Sequence, residues 1–436
     1  MSILNYIRRC CFWLLDFLKG GKVCKHYKDI AYVLNNMHTS KVEKLRKKRL
    51  NDLLVFATST TPFYKKYQGF DSIEDFPLIN KNMIRNSFDN FKSDKFLNEE
   101  NTSVVTSGST GTPFKLFHNK DKRNRSTADV IYFAGLAGFK IGSKLFYMKV
   151  WNKINMKSPL KRWMENIVPH SIYSYTDEDF RSLLGKMKRD PHKKGLVGFA
   201  STYELLCNYL DKIESPPLHD YNVTSIIANS EALDMKTKKR MEYYFGVPAI
   251  SRYSNMENGM LAQQVPDGTS DFHINWASFY IELLDLNEDK PAKLGDPGRV
   301  VITDLYNYCM PMIRYENGDI AVFEKNKKGA LVLKNIEGRK VDIIYNTKGE
   351  PVTSHIVTVN MWKYSELKQY QFIQKDKKEY LFKINRKNEL FDGEEGLIDE
   401  FKEYLGEDAV IDLEYVNDIP LLASGKRKLV VSDYQR

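Results

Sequence analysis

The sequence predicts an α/β protein, with a large N-terminal domain of many strands and helices followed by a small α+β domain. Three observations lead there. Between residues 144 and 228, short β-branched and apolar runs alternate with helical segments, the pattern of a sheet layered against helices. Beyond residue 338 the pattern changes to shorter strands with one helix, a second unit of about a hundred residues. The 436 residues also suffice for two such cores. The boundary is read as 1–337 and 338–436.

Composition narrows the class. Apolar residues make up 42% and charged residues 28%, as in soluble globular enzymes. Aromatics at 13% argue against extensive disorder. The 66 basic and 56 acidic residues leave a net charge of +10, which suits an anionic partner such as a nucleotide or a lipid face. Lysine is spread along the chain and no basic stripe or recognised module occurs, so no nucleic acid is expected as partner. Cys10, Cys11, Cys24, Cys207 and Cys309 form no zinc-like spacing and fit free thiols in a reducing cytoplasm. No apolar run reaches the ~18 residues of a membrane-spanning helix.

Taken in order, the chain opens with an amphipathic pattern. Ile3, Leu4, Ile7, Cys11, Leu14, Leu15 and Leu18 share one face, with Asn5, Arg8, Arg9 and Asp16 on the other. Asp16 and the lack of a small-residue cleavage site argue against a signal peptide. Two readings follow: a helix docked by its apolar face on the domain core, the usual arrangement, or residues 1–20 as a peripheral contact with the inner membrane face. Residues 40–56 predict a strongly basic helix, either solvated or touching an anionic surface. Residues 61–67 and 75–81, punctuated by Pro62 and Pro77, read as linkers. Strands are predicted at 102–105, 114–117, 144–150, 195–200 and 224–228, and helices at 121–137, 179–188 and 203–213. In the second unit, strands at 380–384 and 410–416 flank a helix whose apolar face is Leu397, Ile398, Phe401, Tyr404 and Leu405.

Several stretches carry chemistry. Thr106, Ser107, Gly108, Ser109, Thr110, Gly111 and Thr112, closed by Pro113, combine hydroxyls with glycines that let backbone N–H groups converge on phosphate oxygens. The bland alternative is a Ser/Gly turn. The stretch is not a Walker-type loop, which needs Gly-Lys-Ser/Thr opening a helix. Asn229, Ser230 and Glu231 end a strand, where open α/β sheets bind ligands; a capping serine before the next helix is the other reading. Tyr253-Ser254-Asn255-Met256-Glu257-Asn258-Gly259 offers a ring beside a carboxylate suited to a hard cation. Met310-Pro311-Met312-Ile313-Arg314-Tyr315-Glu316-Asn317-Gly318-Asp319 follows Thr303-Asp304-Leu305. By itself, its Asp319 reads as a turn residue before a strand at 320–323. Gly338-Arg339-Lys340-Val341-Asp342 stands at the domain boundary. A Pro/Gly-framed loop near the end carries Gly425-Lys426.

In this order, these stretches resemble the adenylate-forming superfamily of acyl-CoA synthetases, luciferases and nonribosomal peptide adenylation domains. The wording around 302–319 is similar to the phenylacetate-CoA ligase branch, and 253–259 to CapK-like proteins within it. The resemblance runs from about residue 55 to 430. It implies a large multi-sheet α/β domain of the adenylate-forming fold with a mobile C-terminal cap, and an AMP-forming ligase that acts on a carboxylate with ATP and Mg²⁺. A thiol, amine or hydroxyl would be the acceptor, with coenzyme A among the candidates. It further implies that the loop 106–112 holds phosphates and that Ser230 and Glu231 line the adenine pocket. Tyr253 would stack on adenine, Glu257 hold Mg²⁺, Asp319 accept from both ribose hydroxyls, Arg339 contact ribose or phosphate, and Lys426 bridge carboxylate and α-phosphate. The sequence departs from the pattern at Met256, where relatives carry Thr or Ser and where Asn255 would have to substitute, and at Val341 in the hinge.

Overall fold

The computed structural model describes residues 3–106, 114–151, 156–171, 176–230, 233–337, 344–352, 355–364, 367–386, 391–419 and 429–434. Ser107, Gly108, Ser109, Thr110, Gly111, Thr112, Glu231, Arg339 and Lys426 lie outside them, as does the hinge segment 338–343. Thr106 is described as the last residue of its strand.

Three helices open the chain: α1 (Ile3–Leu18), α2 (Lys22–Asn35) and α3 (Ser40–Thr60). The Thr39 side chain accepts a hydrogen bond from Val42 N and starts α3. A short helix α4 (Lys81–Asn86) precedes the hairpin β1 (Thr102–Thr106) and β2 (Phe114–His118). After α5 (Lys120–Leu136) come β3 (Lys144–Lys149), α6 (Pro159–Glu165), β4 (Ile167–Ser171) and α7 (Asp177–Arg189). They are followed by β5 (Lys194–Phe199), α8 (Ala200–Lys212), β6 (Val223–Asn229), α9 (Met235–Phe245) and β7 (Ala249–Asn255). The large domain closes with β8 (Gly259–Gln264), β9 (Phe272–Ile274), β10 (Phe279–Leu284), β11 (Pro297–Asp304), β12 (Tyr315–Lys325) and β13 (Leu331–Glu337). The alternation predicted between residues 144 and 228 is therefore present.

Among the described residues, these strands form an eleven-stranded sheet in the order β10-β11-β12-β13-β9-β8-β7-β6-β5-β3-β4. One end is parallel and clad in helices, and the other is antiparallel. The change occurs within β7. Its first half pairs parallel with β6, Ile226 opposite Ala249 to Ala228 opposite Ser251. Its second half pairs antiparallel with β8, Arg252 opposite Gln263 to Asn255 opposite Gly259. The parallel half buries Phe146, Leu183, Leu196, Tyr203 and Ile226 in one core.

The C-terminal part starts with the two-residue strands β14 (Ile344–Tyr345) and β15 (Pro351–Val352), then α10 (His355–Asn360). It continues with β16 (Leu367–Gln374), β17 (Glu379–Arg386), α11 (Glu394–Leu405), β18 (Val410–Tyr415) and β19 (Val430–Ser432). Phe372, Phe382 and Ile384 pack against Leu397, Phe401 and Leu405 of α11, and Val150, just past β3, joins this core.

The stretches 61–67 and 75–81 prove not to be linkers. Residues Pro62–Tyr67 form a 3-10 helix, and Tyr64, Phe76 and Ile79 are fully buried beside Phe114 and Tyr315. Ile79 N donates to Arg314 O at 3.0 Å and Glu316 N to Ile79 O at 2.8 Å, so the segment adds a short rung to β12. The basic helix α3 is not uniformly solvated either. Arg46 Nε donates to Trp276 O at 3.2 Å, and Arg49 pairs with Asp29, which Arg125 also holds.

Helix α1 does dock on the fold, with Phe12 and Trp13 partly buried against the core that holds Val23 and Ile30, but most of its predicted apolar face is turned outward. Asn5 is its buried residue, while Ile3, Leu4, Ile7, Leu14, Leu15 and Leu18 face outward. Polar partners decide this orientation. Asn166 Nδ2 donates to Asn5 Oδ1 at 3.2 Å, and Asp16 accepts from Val23 N and Cys24 N, capping α2. Gly142, at φ 88°, lets the backbones meet, since a Cβ there would lie 2.1 Å from Asn5 O.

Candidate functional site

The seam strand β7 carries or adjoins most of the described candidates, whereas Thr106 ends β1 in the separate two-stranded hairpin. Tyr253 and Asn255 lie on its antiparallel half, and Glu257 sits in the turn to β8. Ser230 follows the carboxyl end of the neighbouring β6, exposed and at φ 67°. It is not a helix cap. Helix α9 begins later, capped by Asp234, whose side chain accepts from Thr237 N at 2.9 Å.

Asp319 is aimed by a bulge. Arg299 pairs with Ile320 and Val301 with Glu316, so Asn317, Gly318 and Asp319 are looped out of the β11–β12 register. Gly318 turns the chain at φ 79°, and Asp319 N donates to Asn317 Oδ1 at 2.9 Å. Asp319 therefore lies within β12, not before a strand. Its Oδ2 accepts from Tyr253 OH at 2.8 Å and from Asn317 Nδ2 at 2.6 Å, while Asn317 Nδ2 lies 2.7 Å from Tyr253 OH. Burial, with the Asp319 charge beside it, pushes the Tyr253 phenol well above its usual value, so it stays protonated and donates. The triangle fixes ring and carboxylate relative to each other across the sheet.

Glu257 is buried, and its neighbours balance its charge. Lys81 pairs with Oε1, and Tyr315 OH lies 3.4 Å from the same oxygen. Its backbone carbonyl accepts from His118 Nε2 at 2.8 Å. Burial, then the nearby Lys122 ammonium, lowers His118 to about 4, so the ring is neutral at pH 7 and donates through Nε2. Lys122 Nζ donates to Asn258 O at 2.6 Å and pairs with Asp304 at 2.5 Å, both side chains fully buried. Asn255 Oδ1 accepts from Asn258 N at 2.7 Å and its Nδ2 donates to Asn258 Oδ1 at 3.1 Å. Asn255 thus shapes the turn, and Met256 faces solvent at 53% exposure.

A single buried carboxylate fits Mg²⁺, which is commonly held by one or two carboxylates with waters and substrate phosphates completing its shell. Among the described residues no cluster of three or more acidic, His or Cys groups offers a metal cage.

Sequence reasoning brought together Tyr253, Asp319, Glu257, Asn255 and Ser230, which the structure places around one seam. It passed over Lys81, His118, Asn317 and the Lys122–Asp304 pair. Lys81, Asp304 and Asn317 lie within the stretches 75–81, 303–305 and 310–319, but no local spacing signals a partner on a distant strand.

A family model for the CapK C-terminal domain matches residues 344–433. Among solved structures, the chain is similar to 2-hydroxyisobutyryl-CoA ligase in complex with 2-HIB-AMP and CoA. In the thioesterification state the TM-score is 0.57 at 17% identity, over 91% of each chain. In the open conformation it is 0.55 at 17% identity, over 90% of this chain and 92% of that one. The chain has the adenylate-forming ligase fold with a CapK-type C-terminal domain. No curated protein sequence matches it.

Proposed function

We propose that this CapK-type chain is an ATP-dependent, AMP-forming ligase working in the cytoplasm. The observation that carries the reading is the Tyr253–Asn317–Asp319 triangle beside the Glu257 turn, at the sheet's switch from parallel to antiparallel, in a chain of adenylate-forming fold. A ring with a rigidly held two-oxygen acceptor suits adenosine, with Tyr253 against the base and Asp319 accepting from ribose hydroxyls. Ser230 and Glu231 would border the adenine, and Arg339 the ribose or phosphate. Thr106, Ser107, Gly108, Ser109, Thr110, Gly111 and Thr112 would hold the phosphates. Glu257 would hold Mg²⁺, which when bound neutralises phosphate charge. Asn255 would act by holding the turn that carries Glu257.

In the first half-reaction a substrate carboxylate oxygen attacks the α-phosphorus. The new acyl–phosphate bond replaces the α–β bond, and pyrophosphate leaves. Lys426 would sit across the developing charge, its ammonium bridging carboxylate and phosphate. In the second, a thiol, amine or hydroxyl attacks the acyl carbonyl and AMP departs with the bonding pair. We take the large domain as 1–337 and the cap as 338–436, the cap rotating between the two steps. The acid is proposed to serve capsular or surface polysaccharide synthesis. Coenzyme A is the acceptor in the aryl-acid ligase version of the same reading, as in phenylacetate-type enzymes.

ATP–pyrophosphate exchange against a panel of aryl acetates, amino acids, hydroxy acids and uronic acids tests this. Exchange with at least one acid is expected, falling about a hundredfold or more in Lys426→Ala with ATP binding retained. Release of ADP would make the chain a kinase. Bound ATP without exchange on any acid, coupled to unimpaired polysaccharide assembly, would make it a non-catalytic assembly protein.

A further inference from the structure

Helix α1 is mounted the reverse way for a soluble protein. Its inward side is spent on the fold, through Asn5 to Asn166, Arg8 over the Trp163 ring at 5.3 Å, Asp16 to the start of α2, and Phe12 and Trp13 partly buried against the core. Its apolar side points to solvent, with Ile3 82% and Leu18 70% exposed. An amphipathic helix with a free choice buries the opposite face.

The neighbouring helix α6 extends that surface. Leu160, Trp163 and Met164 are exposed on it, Trp163 at 60%. Cations border both helices. Arg9, Lys19, Lys22 and Lys25 are exposed at and beyond α1, and Lys161 is exposed on α6 with Arg162 partly so. The acids in these stretches are already engaged: Asp16 caps α2, and Glu165 pairs with Lys157. The combination of an apolar stripe, an interfacial tryptophan and a cationic rim is complementary to the acyl boundary and headgroups of an anionic bilayer.

We infer that α1 and α6 form a docking face for an anionic phospholipid membrane, in which α1 lies in the interfacial plane. The helices cannot cross it, since among the described residues no helix is long and apolar enough to span a membrane. Gly142 and Asn166, on which α1 rests, precede the amino ends of β3 and β4. Ser230 stands beyond the carboxyl end of β6, so the face and the candidate site lie at opposite ends of the parallel strands. Docking therefore leaves the site open to the aqueous side.

Flotation of the full chain with vesicles tests this, comparing phosphatidylcholine alone with mixtures containing phosphatidylglycerol at low and high salt. Binding to the anionic vesicles is expected, weaker at high salt. Ile7→Glu with Leu14→Glu should lower partitioning at least about tenfold. Their exposed positions leave the melting temperature and nucleotide binding unchanged. Lys22→Glu with Lys25→Glu should lower it several-fold and flatten the salt dependence. Failure of the parent to float, or equal flotation of the Ile7→Glu/Leu14→Glu chain, overturns the inference. So does a dimer in solution that disappears in that chain without vesicle binding, because the face would then belong to a second copy.

Discussion

Helices α1 and α7 both separate apolar from polar residues around their circumference, yet they sit on the fold in opposite senses. Helix α7 sends Phe180, Leu183, Leu184 and Met187 into the core under the parallel sheet. A Thr176–Asp179 capping box starts it, and Lys186, Lys188 and Arg189 close its last turn. Helix α1 seats Asn5 and Asp16 and leaves its leucines outside. Periodicity shows that a helix has two faces. Which face docks depends on what waits for it: an apolar floor of β5 and α8 in one case, and in the other a glycine gap, an asparagine amide and the free N–H groups of α2.

The comparison can be strained from both ends. Leu183→Ala, at a 1% exposed position, should cost about 2–5 kcal/mol in denaturant unfolding, because it leaves a cavity in a packed core. Gly142→Ala should cost about 1–3 kcal/mol, since its Cβ meets the Asn5 carbonyl and the backbone is left-handed there. The loss should be local, with amides of α1 exchanging faster while the parallel sheet keeps its protection. Leu15→Ala should stay within about 0.5 kcal/mol of the parent, as an exposed position does. A Leu15 penalty comparable to that of Leu183 would show that α1 is buried by its leucines after all.

The same contrast explains how much was legible in the sequence. The strands of the parallel half are short apolar runs between helices, so β5 and β6 stood out. Ser230 at the end of β6 could be placed with them, whereas Tyr253 was singled out by resemblance, with no strand predicted at 249–255. Leu367–Gln374 did not stand out, because Leu367, Tyr370 and Phe372 are interspersed with lysine and glutamines. The segment 75–81 looked like a linker because its value is non-local: Ile79 bonds to the backbone beside Arg314, and Lys81 reaches Glu257. Within the site, residue types were legible and the scaffold was not. Asp319 was singled out as an acceptor, but the bulge that projects it depends on how β11 and β12 align. Likewise, Asn255 was weighed as a phosphate contact, whereas its amide is engaged with Asn258.

The divided pairing of β7 also has a mechanical side. Its two halves pair with different hydrogen-bond geometry inside one sheet, parallel to β6 and antiparallel to β8. Ser230 reports the attitude of one half and Asp319 that of the other. Clamping both sides with one ligand would stiffen the whole sheet, from β4 at one edge to β10 at the other.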